Sequence, residues 1–571
     1  MSFPTTMIDS TMKTYSKQIR SRNSSLLLRF FHLILTVLLL QSAVQAQVNR
    51  DPDQQDQRRR GQPNDRQREE GQRGGGGSRL GGYEKPPPAN DIPDHPCDII
   101  LGRPTDRSIE LRVLQNADGR GRVRYQVEGS DQWMETPPVE LIGGQPVSIV
   151  LDPLQPDTAY RYQWIFVDGQ SGVTYEREVA GFHTQRATAS SFVFSVTADS
   201  HLDENSSGDV YLQTLRNALA DRPDFHLELG DTFMTGKYVR PELSKGQYLA
   251  QRYYLSHLCS SSPLYFVIGN HDGESAGRQS MTWATKTRKS FFANPSPNHF
   301  YSGNRSEEAD IGQPENYYAW HWGDAQFITL DPYRYTTSRR GGGGGGQGGG
   351  QGGGRQRGRN APDRPQGVGN QGNGDQATPP QRDNAAASAD GNWYWTLGEL
   401  QYRWLQEELA KPAKYRFVFI HHLVGGAVQS QRGGAEVANL WEWGGRNPQG
   451  AWQFDRYRPQ WDKPIHQMLV DAGTSVVFHG HDHFFAKQDL DGIVYQEVPQ
   501  PSHARSGNTR NAEEYGYLSG EFQPSSGFVR VRVAPEGVRI DYVRTYLDGK
   551  EPGDRNGEVS FSYFVPPSSP K

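Results

Sequence analysis

Cysteine is nearly absent: Cys97 and Cys259 are the only two in 571 residues. That excludes a disulfide-dense scaffold and a cysteine-ligated zinc finger. Two arrangements stay open for the pair, a bond between distant segments in an oxidising compartment or two independent thiols. A surplus of charge of one sign is missing too. Lys and Arg number 61 against 65 Asp and Glu, a net charge of -4, so no basic field is present to draw in nucleic acid or acidic lipid, and no nucleic-acid binding is expected. Apolar residues make up only 34% of the chain, while Gly (64) and Pro (37) are plentiful. Some segments therefore lack the side chains to build a core.

Long apolar runs are also lacking. The stretch from Phe30 to Leu40 is well short of the roughly 20 residues a membrane-spanning helix needs. It follows Lys13, Lys17, Arg20, Arg22 and Arg29 and precedes Val44-Gln45-Ala46, the order of a secretory leader with a small-residue cleavage site. The expectation is a signal peptide over 1–46, cleavage after Ala46, no membrane span afterwards, and a secreted or periplasmic protein. From 47 to 96 the chain is rich in Gln, Arg, Asp and Gly, with Pro86-Pro87-Pro88 near its end, and reads as a disordered linker. A second such tract, 336–391, contains the glycine-rich run from Gly341 to Gly354 and reads as a disordered insertion. A C-terminal tail is expected over 546–571.

Between them, apolar residues alternate in four runs: Ile109, Leu111, Val113; Val123, Tyr125, Val127; Val147, Ile149, Leu151; and Tyr160, Tyr162, Trp164, Phe166. Period two between Gly, Asp and Pro turns predicts an antiparallel sandwich over 97–186. With Leu154-x-Pro156-x-Thr158-x-Tyr160-x-Tyr162 and Phe182-His183-Thr184, the segment resembles a fibronectin type III domain. No catalytic cluster lies in it, and docking to an envelope or surface partner is its expected contribution.

The second domain, expected over 190–545, has a different texture. Five short apolar runs each end in Asp, Asn or His: Phe192–Val196 before Asp199-Ser200-His201, His226–Leu229 before Gly230-Asp231, Leu264–Ile268 before Gly269-Asn270-His271-Asp272, Arg416–Ile420 before His421-His422, and Ser475–Phe478 before His479-Gly480-His481-Asp482-His483. Open α/β sheets gather ligands at the carboxyl ends of their strands, so these ends should meet in one cleft. Helical pieces fit between the strands: 210–220 follows the first strand, and 399–409 is amphipathic.

This ordered set, Asp-x-His, Gly-Asp, Gly-Asn-His-Asp, His and Gly-His-x-His, resembles the calcineurin-like metallophosphoesterases over about 191–543. The resemblance implies an α/β four-layer (αββα) sandwich, preceded here by the fibronectin-like one. It implies two divalent cations, Mn, Fe or Zn, with Asp199, His201 and His483 on one, Asn270, His421 and His481 on the other, and Asp231 bridging. His271 would stay off the metals to steady the phosphoryl group or protonate the leaving group, with Asp272 orienting it, and a metal-bridging hydroxide would attack phosphorus. Purple acid phosphatases also carry a small β-sandwich before the metal domain. They have Asp-x-Gly where this chain has Asp199-Ser200-His201, and a tyrosine ligand where it has Met234, which weighs against a tyrosinate-bound ferric centre.

The expected function is an exported hydrolase of phosphate monoesters. Two alternatives stand beside it: a phosphodiesterase using the same site, and a binding module with a vestigial one. The segment Leu423 to Asp462 is expected to overhang the cleft and select substrate, with Arg432 and Arg446 as solvated loop arginines that also suit phosphate. His226, His257, His299, His321, His466 and His503 read as structural, and His422 as turned away from the metals.

Overall fold

Alternation in the N-terminal segment resolves into two facing antiparallel sheets. The computed structural model describes residues 82–336, 392–426, 432–505, 509–547 and 555–568; the leader, most of the 47–96 linker and nearly all of the Gly-rich insertion lie outside them. Cys97–Gly102, Ile109–Gln115 and Pro146–Leu151 form one sheet, and Gly119–Val127 and Ala159–Asp168 lead the other. Period two turns Ile109, Leu111 and Val113 of the first sheet, and Val123, Tyr160, Tyr162 and Trp164 of the second, into one core. The Tyr160 hydroxyl accepts the Gln155 amide proton at 2.8 Å, which closes the corner that the Leu-x-Pro-x-Thr-x-Tyr spacing marks.

This sandwich is fastened to the C-terminal part of the chain. The Tyr162 hydroxyl donates to the Ser260 carbonyl at 2.6 Å. Buried Arg252, on the helix Lys245–Cys259, donates to the carbonyls of Asp98 and Arg112. Cys97 and Cys259 are both buried and unpaired.

Beyond the sandwich lie two further sheets, one of six strands and one of eight. In the six-stranded sheet, Phe192–Thr197, Phe225–Glu228 and Leu264–Phe266 lie parallel, with the antiparallel Gly527–Ala534, Gly537–Arg544 and Val559–Val565 beyond them. In the eight-stranded sheet, Ala325–Leu330, Tyr415–Ile420 and Val476–His479 are parallel neighbours. The parallel strands are buried along nearly their whole length because both faces are covered, and their few polar side chains, such as His226, Glu228 and Gln326, are buried with them. Phe194 and Phe225 of one sheet meet Phe327 of the other at ring separations of 5.3 and 5.2 Å, and Phe417, Phe419 and Phe478 continue that shared core. Helices cover the outer faces. Tyr211 and Leu215 of Gly208–Ala220 and Leu255 of Lys245–Cys259 pack with Leu264, Phe266 and Val543. Tyr402 and Leu405 of Gly398–Leu409 and Leu469 of Ile465–Asp471 pack with Ile328, Val418 and Val477.

Two expected boundaries move. Residues 82–96 are not loose: Tyr83 bridges to Tyr238, and Asn90 is buried with its amide on the Leu202 carbonyl at 2.8 Å. The aromatic and amide side chains in this otherwise polar stretch have partners elsewhere in the chain. The tail expected from 546 also contributes structure, because Val559–Val565 is the edge strand of the six-stranded sheet. Its Val559, Phe561, Tyr563 and Val565 carry the same period two as the other strands.

Candidate metal centre

All the expected ligands leave the carboxyl ends of parallel strands. Asp199, Asp231 and Asn270 follow Phe192–Thr197, Phe225–Glu228 and Leu264–Phe266 of the six-stranded sheet; His421, His481 and His483 follow Tyr415–Ile420 and Val476–His479 of the eight-stranded one. The turns are tight. Asp199 (φ 61°), His201 (49°), Asp231 (54°), His481 (86°) and His483 (67°) all occupy the left-handed region, at a cost on the order of 1 kcal/mol or more each that only a strongly determined surrounding structure sustains. Glycine enables the approach at two points. A Cβ on Gly269 would lie 2.0 Å from the Asp231 nitrogen, and one on Gly480 would lie 2.8 Å from Asp199 Oδ2.

Two groups of side chains, Asp199, His201, His483 and Asp231, His421, His481, bring ligand atoms within 4.8 Å of one another. His201 Nε2 lies 3.6 Å from both Asp199 Oδ1 and Asp231 Oδ2. His483 Nε2 is 3.4 Å from Asp199 Oδ1, and His421 Nε2 is 3.5 Å from Asp231 Oδ2. Asn270 joins the second group, its Oδ1 3.2 Å from His421 Nε2. Most of these spacings are too long for hydrogen bonds, which run at roughly 2.7–3.2 Å. They match the separation of about 3.4 Å between two ligands that share a tetrahedral cation at bond lengths near 2.1 Å. Asp199 Oδ1 and His201 Nε2 are moreover buried with no hydrogen-bond partner. Nitrogen and carboxylate donors with orphaned atoms facing one another fit a pair of divalent ions.

The far sides of the ligands are held. His201 Nδ1 pairs with Asp203 Oδ2 at 3.0 Å, and His421 Nδ1 donates to the Leu229 carbonyl at 2.7 Å, which fixes each ring with Nε2 inward. Asp199 Oδ2 accepts the His481 amide at 2.8 Å. Burial alone would raise Asp199 and Asp231, but the imidazoles of His483, His421 and His271 outweigh it and hold both carboxyls well below their ordinary range. Burial would lower His421, yet Asp231 and Asp199 lift it to about 9. His481 is pushed well below its ordinary value by burial and by the neighbouring His422 and His421.

His271 stands beside the two groups and in neither, its Nε2 3.8 Å from Asp231 Oδ2 and its side chain 32% exposed. Asp272 does not orient it. The Asp272 carboxylate accepts backbone amides instead, from Thr232 and Phe233 on Oδ1 and from Gly269 and Asp231 on Oδ2. It lies behind the Gly269 turn and ties the Asp231 and Asn270 loops together. His422 is buried against Tyr333 and Trp395, with its Nδ1 3.4 Å from the Tyr333 hydroxyl.

The open side is a cleft of ≈ 330 Å³, lined by His201, Asp231, His271, His481 and His483 together with Asp203, Lys237, Arg432 and His503. Little of the segment from Leu423 to Asp462 overhangs it. Trp441 and Trp443 are buried beneath the eight-stranded sheet, while exposed Arg446 bonds the Gly450 carbonyl. Among the described residues of that segment, Arg432 alone lines the cleft. It is not a solvated arginine: Nε donates to Asp482 Oδ1 at 2.7 Å, Nη2 to the His481 carbonyl at 3.1 Å, and the guanidinium stacks 4.0 Å from the Tyr515 ring. Asp203, Lys237 and the lining role of His503 were also missed. The acid two residues after His201 was the available signal for Asp203.

No family model matches the sequence, and no curated protein matches it. Solved structures do. PhoD is matched with 13% identity over 86% of this chain and 93% of that one, at a TM-score of 0.53. Purple acid phosphatase PPD1 from yellow lupin (Lupinus luteus) seeds is matched with 12% identity over 82% of this chain and 74% of that one, at 0.48. With its paired sheets and the strand-end ligands above, the chain has a metallophosphoesterase fold.

Proposed function

We propose that this chain is an exported, metal-dependent phosphoric ester hydrolase that cleaves monoesters. One observation carries the reading: the Nε2 atoms of His201, His421 and His483 converge at 3.4 to 3.6 Å on Asp199 Oδ1 and Asp231 Oδ2. Two divalent cations bound there, Mn, Fe or Zn, would offset phosphoryl charge and make a water nucleophilic near neutral pH. The chain's own residues do the remaining work. Asp231, shared between the groups, sets their spacing. Asp203 and the Leu229 carbonyl keep the imidazoles in the tautomer that presents Nε2. His271, at the rim and off the ligand sets, holds a hydrogen bond to a phosphoryl oxygen or to the leaving group. The outer helices and paired sheets are read as the four-layer arrangement, and the N-terminal sandwich as a fibronectin-like docking module. A cleft of ≈ 330 Å³ over the ligand sets is of the size that takes a small phosphate ester.

The test compares p-nitrophenyl phosphate with bis(p-nitrophenyl) phosphate on protein stripped of metal and reloaded with Mn, Zn or Fe. Hydrolysis of the monoester, lost on stripping and restored on loading, is expected. Faster cleavage of the diester would select the phosphodiesterase reading, and inertness toward both with two ions bound would end the proposal. Export is tested by mass spectrometry of the mature chain, expected to begin at Gln47.

A further inference from the structure

Two basic side chains besides the imidazoles line the cleft, Lys237 and Arg432. They are built differently. Lys237 is 29% exposed, on a flexible stem, with its Nζ 3.6 Å from Asp203. Arg432 sits on a perch. Its Nε bonds Asp482, which is itself buried and accepts the Tyr517 hydroxyl at 2.8 Å. Its Nη2 bonds the carbonyl of the ligand residue His481, and Tyr515 covers its face. The residues just after it are glycines for a reason: a Cβ on Gly433 would lie 2.4 Å from the Tyr517 hydroxyl and 2.8 Å from Asp482 Oδ2. The backbone is pressed against the pair that anchors the arginine.

None of this is needed to hold cations. The side-chain hydrogen bonds of Arg432 go to Asp482 and to the main chain of His481, and to no side-chain ligand atom. Two of its N–H groups are committed to those partners, while a guanidinium carries five in a planar fork suited to carboxylate or phosphate oxygens. A fork whose rotamer is already fixed loses little entropy on binding. We infer that Arg432 reads a second anionic group on the substrate, a carboxylate or phosphate close to the scissile phosphate. This deepens the proposed function and rests on it for the identity of the scissile group. The natural substrate class is then a compact phosphate ester bearing a neighbouring anion, and simple alkyl phosphates are the weaker ligands.

The experiment uses ligands that cannot be hydrolysed, so that it reads binding and not turnover. Methylphosphonate and phosphonoacetate, which differ by a carboxylate, are titrated calorimetrically into full-length protein loaded with two equivalents of Mn. Wild type should bind phosphonoacetate at least about 10-fold more tightly, the scale of one charge-assisted contact. Arg432→Gln should erase that preference while leaving methylphosphonate within about 2-fold, and Arg432→Lys should restore part of it. Metal stoichiometry and melting temperature identify a variant that has simply lost its fold, in which case Arg432→Lys and Tyr515→Leu carry the comparison. Three results would overturn the inference: no preference in wild type, equal losses for both ligands in Arg432→Gln, or no loss for either. The outcome is independent of catalysis. A protein inert on all esters that still shows the Arg432-dependent preference would sink the hydrolase reading and keep this one.

Discussion

Replacing Asp203 with alanine tests whether the imidazole of His201 is held as a ligand or merely packed. Asp203 is 5% exposed, and its Oδ2 receives His201 Nδ1 at 3.0 Å. Burial alone would raise its carboxyl, but the His201 contact outweighs that and holds it well below the ordinary range. Removing the carboxylate frees the ring to rotate and to take the wrong tautomer. One charge-assisted hydrogen bond is worth about 1.5–3 kcal/mol, and loss of such a partner behind a metal-binding histidine typically weakens the site about 10- to 100-fold. The loss should be local. The site built from Asp199, His201 and His483 weakens by that factor, while the Asp231, His421, His481 site changes less than about 3-fold. Competition against a chelating dye, with elemental analysis of each titration point, resolves the two steps. Asp203→Asn keeps an acceptor of similar shape and should lose less than Asp203→Ala. A change below about 3-fold at both sites in Asp203→Ala would refute the reasoning, because His201 would then need no partner behind it.

The remaining predictions concern the rim, the turns and pH. His271→Ala should lower turnover on the monoester by about 10²–10⁴-fold with both ions retained by elemental analysis; unchanged turnover would remove its role. Gly269→Ala places a Cβ 2.4 Å from Asp231 Oδ1, and should abolish paired metal binding and lower the melting temperature; two ions bound at normal affinity would contradict the close approach. His421, lifted to about 9, must shed a proton to bind a cation, so apparent affinity should rise by up to about tenfold per pH unit between pH 7 and 9 and then level off. The sign is opposite for the stability of metal-free protein. A group raised above its unfolded value contributes fully below about pH 6.5 and loses that contribution as pH rises through about 9, so the melting temperature of stripped protein should fall between pH 7 and 10. A flat profile in either measurement would count against a charged, carboxylate-bound His421.

How far the sequence foretold this site depends on what each residue needs. The candidate ligands were readable because a strand buried on both faces has no other use for Asp or His at its end, and five such endings in order leave few arrangements. The helices expected at 210–220 and 399–409 span Gly208–Ala220 and Gly398–Leu409, the second announced by its amphipathic spacing. Asp203 was not foreseen because the contact to His201 arises from a reversal at His201 and Leu202, both at positive φ, which no periodicity encodes. Arg432 was singled out as suiting phosphate but read as solvated, because its perch is assembled from Asp482, Tyr515 and Tyr517, far along the chain and without a motif. Asp272 was assigned to the neighbouring imidazole through the family resemblance, whereas four backbone amides have the stronger claim on a buried carboxylate. The edge strand Val559–Val565 was overlooked even though its alternation is plain.

Each candidate ligand set draws on both large sheets, with Asp199, His201 and Asp231 on one side and His421, His481 and His483 on the other. An ion seated in either set is thus also a rivet through the mouth of the sandwich. The aromatic interior closes the seam along its length, and the rivets close it at the end where loops would otherwise part. Loading the protein should stiffen that rim selectively, and the slowest amide exchange gained on loading should fall in the loops after Thr197, Glu228, Ile420 and His479.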